Sequence, residues 1–107
     1  MKDKYFFHHL NSRFFGISGK DSKSFIQNLI TNDIEKCNDG SIIYSCLLTP
    51  QGKFLADFFI FNINENYIFE TNDKFYSNLL ARLKIYKLRS DIEIKEINYL
   101  YSYSLFN

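Results

Sequence analysis

At 107 residues the chain has room for one domain with one hydrophobic core. Hydrophobic residues make up 46% of the sequence and aromatic residues 19%, a composition that excludes an intrinsically disordered chain. The formal net charge of +1 provides no general attraction to nucleic acid or anionic membranes. No apolar run approaches the ~20 residues of a membrane-spanning helix, so the expectation is one cytoplasmic domain over residues 1–107.

The residues that most often carry chemistry form no recognisable constellation. His8 and His9 are adjacent, but spacing places no ligand partner near them, so a mobile or edge segment is expected there and no metal site. Cys37 and Cys46 form no Cys-x-x-Cys motif, which favours two reduced thiols, with a disulfide or metal pair as the alternative. Nucleotide-binding loops, the nucleophile elbow and zinc spacings are absent, so no catalytic residue is predicted.

The first half of the chain predicts a strand, a helix and a polar connection. Residues 13–18 read as a short strand, and Ser18-Gly-Lys-Asp21 resembles a capping box that starts a helix. Four apolar side chains then share one helical face, as in a helix that packs on a core: Phe25, Ile26, Leu29 and Ile30. Residues 31–33 are expected to end this helix, and residues 34–40 to form a polar connection.

Residues 41–62 predict a β-hairpin. The first strand, residues 41–48, is continuously apolar and is therefore expected to be buried on both faces. Residues 49–52 have Pro early and Gly late, as in a type I turn closed by a left-handed Gly52. Residues 53–62 then return as an antiparallel strand.

Asp57 is a carboxylate within that apolar return strand. Strand alternation places it on one face with Leu55, Phe59 and Phe61. A carboxylate on an apolar face must find a partner, shift its pKa or meet a ligand. The alternative to a ligand site is a structural role in which backbone N–H groups or a lysine satisfy Asp57.

Counting residues around the turn identifies a partner for Asp57. If the loop has four residues, Leu48 faces Lys53 and Tyr44 faces Asp57, about 5 Å apart at Cβ. A bulge would shift this pairing by one residue.

The second half predicts a strand, a helix and two strands. Residues 62–66 form a turn, residues 67–71 a third strand, and residues 71–73 cap a helix that runs to about Arg89. The cations near its end, Lys84, Lys87 and Arg89, are expected to be a solvated face that complements the helix dipole. Residues 91–98 and 99–106 alternate as strands.

This element order predicts an α+β fold. It reads strand, helix, three-strand meander, helix, strand, strand (β-α-β-β-β-α-β-β), a mostly antiparallel sheet with two helices packed on one face, in a ferredoxin-like variant. Residues 52–61 faintly resemble the aromatic strand of RNA-recognition motifs, but the spacing of that motif is missing and the third meander strand breaks its order. An RNA-binding module is therefore a lesser alternative.

Four ordered motifs carry a family resemblance: Phe15-Gly-Ile-Ser-Gly-Lys-Asp21, Phe25-Ile-Gln-Asn-Leu-Ile-Thr-Asn-Asp33, Tyr44-Ser45 and Thr49-Pro-Gln-Gly-Lys-Phe-Leu-Ala-Asp57. Together they resemble the folate-binding YgfZ family, related to the glycine-cleavage T-protein, an aminomethyltransferase, over residues 10–98. The resemblance implies tetrahydrofolate as the cofactor and a role in iron–sulfur cluster assembly or repair, with a link to tRNA modification.

The resemblance also implies roles for four residues. Asp57 falls where T-proteins place the carboxylate that meets the pterin-side nitrogens of folate, and Tyr44 falls on the neighbouring strand. Phe59 and Phe61 continue the face that borders folate there. A flat, donor-rich pterin suits aromatic walls with one acceptor carboxylate.

The chain also departs from the family pattern. Ala56-Asp57 and Gly52-Lys53 stand where T-proteins show paired aspartates and paired glycines, and the downstream cysteine motif of the family is missing. Residues 1–107 are therefore expected to be an N-terminal piece, without a complete catalytic apparatus, that alone binds folate weakly or not at all.

The expected partners follow from this interpretation of the chain as an N-terminal piece. These are iron–sulfur proteins, the missing C-terminal domains, or a second copy that contacts an exposed apolar face and the tail strand. The alternative function is a non-catalytic interaction or assembly module, or a degenerate truncated gene product.

Overall fold

A computed structural model of the protein describes residues 11–97. The elements over that range, in chain order, are β1 Ser12–Ser18, α1 Ser22–Gln27, a 3₁₀ helix Ile34–Lys36, β2 Ile42–Leu48, β3 Phe54–Ile63, β4 Asn66–Asn72, α2 Asp73–Lys87 and β5 Glu93–Ile97. This order confirms the predicted one up to β5. The strand predicted at 99–106, together with His8 and His9, lies outside the described residues.

The five strands form one antiparallel sheet in the order β2-β3-β4-β1-β5. Strands β2, β3 and β4 are the predicted meander. Strand β1, although first in sequence among the described strands, lies between β4 and β5, with Phe15 opposite Phe69 and Phe14 opposite Ile97. The predicted α+β class is confirmed.

Both helices pack on the same face of the sheet, as predicted. On this face Phe15 and Phe69 stack with ring centroids 4.8 Å apart, and the ring of Phe58 lies 5.1 Å from that of Phe69. Ile26 of α1 and Leu79 of α2 close over these rings and are fully buried. Burying such side chains is the main favourable term in folding, at roughly 1.5–3 kcal/mol each.

Helix α1 ends at Gln27, about one turn earlier than its apolar spacing predicts, because the following residues bind the outer edge of β2. Ile30 forms a β-bridge to that strand. The buried hydroxyl of Ser45 accepts hydrogen bonds from the N–H groups of Thr31 and Asn32, both at 3.0 Å. These bonds satisfy backbone donors that a longer helix would otherwise use, and they cover part of the sheet edge.

The predicted capping box at the start of α1 is wrong. The side chain of Asp21 makes no cap hydrogen bond and instead accepts one from the N–H of Asp91 at 2.7 Å. Gly19 permits this contact, since its φ is +119° and a Cβ there would lie 2.5 Å from the carbonyl oxygen of Asp91. The predicted cap of α2 is confirmed, because Asn72 accepts a hydrogen bond from the N–H of Lys74 at 2.9 Å.

Two burial predictions are also wrong. The connection after α1 is not simply polar, since Ile34 and Cys37 are both buried in the core. Strand β2 is not buried on both faces: Ile42, Tyr44 and Leu48 are 51%, 49% and 40% exposed. An edge strand with helices on one side keeps only alternate residues in the core, which the unbroken apolar run of β2 concealed. Within residues 11–97, no helix is long and apolar enough to cross a membrane.

Candidate functional site

The face of the sheet opposite the helices carries the candidate site. One cross-strand row spans all five strands there, and its members pair in the order Tyr44, Phe59, Glu70, Phe14 and Ile97. Because directly paired residues project to the same side of a sheet, these five side chains share this face. We call it the open face, since within residues 11–97 no helix packs on it.

The hairpin turn that precedes the site is closed by a left-handed Gly52, as predicted. The N–H of Gly52 donates to the carbonyl of Thr49 at 2.8 Å, and Gly52 has the left-handed φ of +84°. The loop is one residue shorter than predicted, because Thr49 pairs with Lys53 through an N–H···O bond of 2.7 Å.

A β-bulge then shifts the register of β3 by one further residue. Leu48 faces Phe54 but Leu47 faces Ala56, so Leu55 is the extra residue. Leu55 packs against the helix-side core, and its predicted place on the face of Asp57 is wrong. Bulges of this kind re-aim the side chains that follow them.

The predicted pairing of Tyr44 with Asp57 is wrong in register, but the contact between them is present. Tyr44 faces Phe59, and Cys46 faces Asp57. Tyr44 reaches Asp57 along the diagonal, which is within range of a long side chain. Its hydroxyl donates a hydrogen bond of 2.6 Å to Oδ2 of Asp57. That bond raises the pKa of the Tyr44 phenol above its ordinary value.

Asp57 is held by a side-chain hydrogen bond from each neighbouring strand, that from β2 being the bond of Tyr44. On the β4 side, the hydroxyl of Thr71 donates to the backbone carbonyl of Asp57 at 2.8 Å. On the β2 side, the N–H and carbonyl of Cys46 both bond outward to Thr31. Cys46 and Asp57 are therefore a non-hydrogen-bonded pair, the kind whose side chains lie closer together.

The predicted structural alternative for Asp57 is not what the described residues show. The carboxylate contacts neither a lysine nor a backbone N–H group within residues 11–97, and Tyr44 supplies its one side-chain hydrogen bond there. Oδ1 of Asp57 has no hydrogen-bond partner in this part of the chain. A half-buried carboxylate with an acceptor oxygen to spare can receive a hydrogen bond from a ligand.

Phe59 and Phe61 lie on the open face as predicted. The ring of Phe59 is 5.4 Å from that of Tyr44, tilted by 59°, a favourable arrangement for an aromatic pair. Phe61 is buried in a cluster with Phe14 and Ile68, and Phe59 packs at the margin of that cluster. Of the two, Phe59 is therefore the ring beside the Tyr44–Asp57 pair.

Glu70 is the site residue that the sequence reasoning missed. It faces Phe59 on β3 and Phe14 on β1, and its side chain is buried on the open face. Burial raises the pKa of Glu70 to about 8. The signal that could have found it is the one that identified Asp57, a carboxylate in an apolar strand, here after Tyr67, Ile68 and Phe69.

The open face thus combines a carboxylate acceptor, a phenol hydroxyl and an aromatic wall. Beside them stands the Cys46 thiol, 3.9 Å from the Tyr44 hydroxyl. Cys37 and Cys46 are both unpaired, and burial raises the pKa of the Cys37 thiol to about 11. This arrangement can bind a flat molecule that carries hydrogen-bond donors. The protein is thus an α+β domain whose open face carries polar groups beside aromatic rings.

Comparison with known protein families identifies the family of this α+β domain. Residues 8–103 match the family described as GCVT N-terminal domain, and the chain belongs to that family. The family resemblance seen in the four sequence motifs is therefore confirmed.

Two kinds of curated relative match the chain. It is 31% identical over 87 residues to an aminomethyltransferase of Caldanaerobacter subterraneus subsp. tengcongensis, a match that covers 77% of the chain and 22% of that protein. It is 26% identical over 95 residues to the mitochondrial iron-sulfur cluster assembly factor IBA57 homolog of Mycosarcoma maydis, covering 77% of the chain and 24% of that protein. The chain thus spans less than a quarter of the length of each relative.

A solved structure shares the fold. The crystal structure of the glycine cleavage system aminomethyltransferase T from Bartonella henselae superposes with a TM-score of 0.76, at 16% identity. The match covers 81% of this chain and 24% of that one.

Proposed function

We propose that this chain is a folate-binding domain of the YgfZ type, which serves iron–sulfur cluster assembly or repair. The observation that carries the proposal is the 2.6 Å hydrogen bond between Tyr44 and Asp57 beside the ring of Phe59. Family membership supports it, as does the match to an iron-sulfur cluster assembly factor. The link to tRNA modification and the cytoplasmic location stay predictions.

In this proposal each residue has a separate part in holding tetrahydrofolate. Asp57 accepts hydrogen bonds from the pterin nitrogens through the oxygen that Tyr44 does not occupy. Tyr44 fixes the orientation of that carboxylate, because its donated bond holds Oδ2. Phe59 supplies an aromatic wall, and Phe61 supports it from the buried cluster. The domain positions the cofactor and carries no catalytic residue of its own.

The test is titration of the chain with tetrahydrofolate under anaerobic conditions, followed by backbone amide NMR and by calorimetry. Because the chain spans under a quarter of its curated relatives, we expect weak binding, with shifts confined to the neighbourhood of Asp57, Tyr44 and Phe59. Asp57→Asn should abolish these shifts, since the amide presents a donor to pterin donors. The exposed Glu93→Gln is the matched control, and its shifts should equal those of the original chain.

Two other outcomes would change the proposal. Shifts that survive Asp57→Asn, or that lie on the helix side of the sheet, would refute the folate site. Tight binding lost in Asp57→Asn would show that the domain needs no others to bind folate.

A second candidate function is an assembly module, and the exposed apolar side chains of β2 favour it. Ile42 and Leu48 are 51% and 40% exposed on the open face. The partners proposed for this surface are the C-terminal domains of a longer chain, an iron–sulfur protein or a second copy. Light scattering over a range of concentrations tests the last, since a constant monomeric mass argues against self-association.

A further inference from the structure

We propose that the groove between α1 and the C-terminal end of α2 docks an acidic peptide segment that presents a large aliphatic side chain. This surface lies on the helix side of the sheet. It is therefore separate from the folate site, and the two proposals stand or fall independently.

The groove has a volume of about 580 Å³ and combines apolar with cationic walls. Phe25 and Leu29 of α1 and Tyr86 of α2 supply the apolar lining. Lys87 and Arg89 supply the cations. This lining of apolar and cationic side chains matches an extended peptide whose own side chains alternate between apolar and acidic.

The charge around the groove is concentrated in one stretch of sequence. Residues 82–89 contain four cations and no acidic residue, although the whole chain has a net charge of only +1. Within residues 11–97, ion pairs form at Arg13–Asp73, Lys20–Asp91 and Lys23–Glu35, and none involves a cation of residues 82–89. These cations are thus available to an acidic partner.

One acidic side chain lines the groove, and it is already engaged. Asp21 accepts a hydrogen bond of 2.7 Å from the N–H of Asp91, and its own N–H donates to the carbonyl of that residue. Asp21 therefore anchors the end of the helix–strand connection. Lys87 and Arg89 outnumber the one carboxylate of the lining, so the charge of the groove is net positive.

Two exposed aliphatic residues are sequence neighbours of the lining residues Tyr86, Lys87 and Arg89, although neither lines the groove itself. Ile85 is 61% exposed, and Leu88, at 85%, is the most exposed large hydrophobic residue of residues 11–97. Leu88 also has a φ of +30°, a conformation that bulky side chains rarely adopt. Leu88 ends α2, where a positive φ is common and glycine is usual, so a leucine at this position places an apolar side chain in water.

This combination favours an acidic peptide over nucleic acid. Single-stranded nucleic acid binds through exposed aromatic rings and cations. Around this groove the exposed apolar groups are aliphatic, and the one aromatic residue of α2 at the groove, Tyr86, is half-buried. A peptide with an aliphatic side chain surrounded by carboxylates matches both the apolar walls and the positive charge of the groove.

The test uses the full chain and a short fluorescein-labelled peptide in which glutamates surround a pair of leucines. Its partner peptide has every glutamate replaced by glutamine. Fluorescence anisotropy should show that the glutamate peptide binds about tenfold or more tightly than the glutamine peptide, and that added salt weakens it. A labelled single-stranded RNA and anionic phospholipid vesicles are the competing probes.

Variants locate the binding on the protein. Lys87→Glu with Arg89→Glu should weaken binding of the glutamate peptide about tenfold or more, because attraction becomes repulsion. The charge-matched control is Lys36→Glu with Lys95→Glu, which are exposed elsewhere and should leave binding unchanged. Leu88→Ala should weaken binding several-fold by removing the exposed aliphatic side chain between Lys87 and Arg89.

Circular dichroism checks that each variant is folded, which is expected because all five positions are exposed or half-buried. Equal binding of the two peptides would overturn the proposal. So would full affinity in the Lys87→Glu, Arg89→Glu variant, or binding of only the RNA or the vesicles.

Discussion

Replacing Glu70 with glutamine should remove a pH dependence from the stability of this domain. Glu70 is only 2% exposed between Phe59 and Phe14, and burial raises its pKa from 4.5 to about 8. Between these two pH values the folded protein keeps a proton on Glu70 that the unfolded chain has released. Because the folded state binds more protons, the contribution of Glu70 to the free energy of unfolding is fully present below pH 4.5, declines as the pH rises, and is lost by about pH 8.

The size of the effect follows from the same two values. Each unit between the folded and unfolded pKa is worth about 1.4 kcal/mol. The interval from 4.5 to about 8 is about 3.5 units, so the free energy of unfolding should fall by on the order of 5 kcal/mol across it. Since small domains are stable by roughly 5–15 kcal/mol, this decline is a large share of the total. Glutamine holds no titratable proton, so the Glu70→Gln variant should lack this decline with pH.

Urea denaturation followed by circular dichroism, repeated between pH ~5 and ~8, measures the difference. The free energy of unfolding of the original chain should fall with pH relative to that of Glu70→Gln. The exposed Glu93→Gln is the control and should parallel the original chain. If Glu70→Gln and the original chain have superimposable pH profiles, Glu70 is not held protonated in the folded state and the reasoning is wrong.

Three further changes test the local structure by urea denaturation. Leu88→Gly should stabilise the fold by about 0.5–1 kcal/mol, since glycine adopts a positive φ without strain; a loss of stability would mean that the Leu88 side chain packs. Asn72→Ala should cost about 1 kcal/mol through the lost cap of α2, an effect that the mid-helix Asn78→Ala should not reproduce. Gly19→Ala should cost more than Gly40→Ala, because only at Gly19 would a Cβ meet backbone at 2.5 Å; equal costs would contradict this.

Local patterns in the sequence were sufficient for most of the fold. The turn closed by a left-handed Gly52 and the Asn72 cap of α2 both depend on residues close together in the chain, and both are present. The helix α1 was predicted too long, since the edge of β2 captures Thr31 and Asn32 through Ser45. Such competition between distant segments leaves no trace in a local periodicity.

The candidate site was predictable in part for the same reason. Asp57 stands out in any reading of β3, because a charge in an apolar strand is visible without a structure. Glu70 carries the same local signal. What makes it relevant is its place beside Phe59, and that place depends on how β4 pairs with β3.

The placement of Asp57, Tyr44, Phe59 and Phe61 on one face, and the family to which the chain belongs, were thus predictable from the sequence alone, while a role of these residues in binding folate stays a prediction. The tertiary structure decided how Tyr44 reaches Asp57. The loop is one residue shorter than expected and the bulge at Leu55 adds one residue, so the register moves by two. Because side chains in a strand alternate with a period of two, two slips restore the face that either one alone would have reversed. The Tyr44–Asp57 contact therefore survives, along a diagonal that residue counting could not identify.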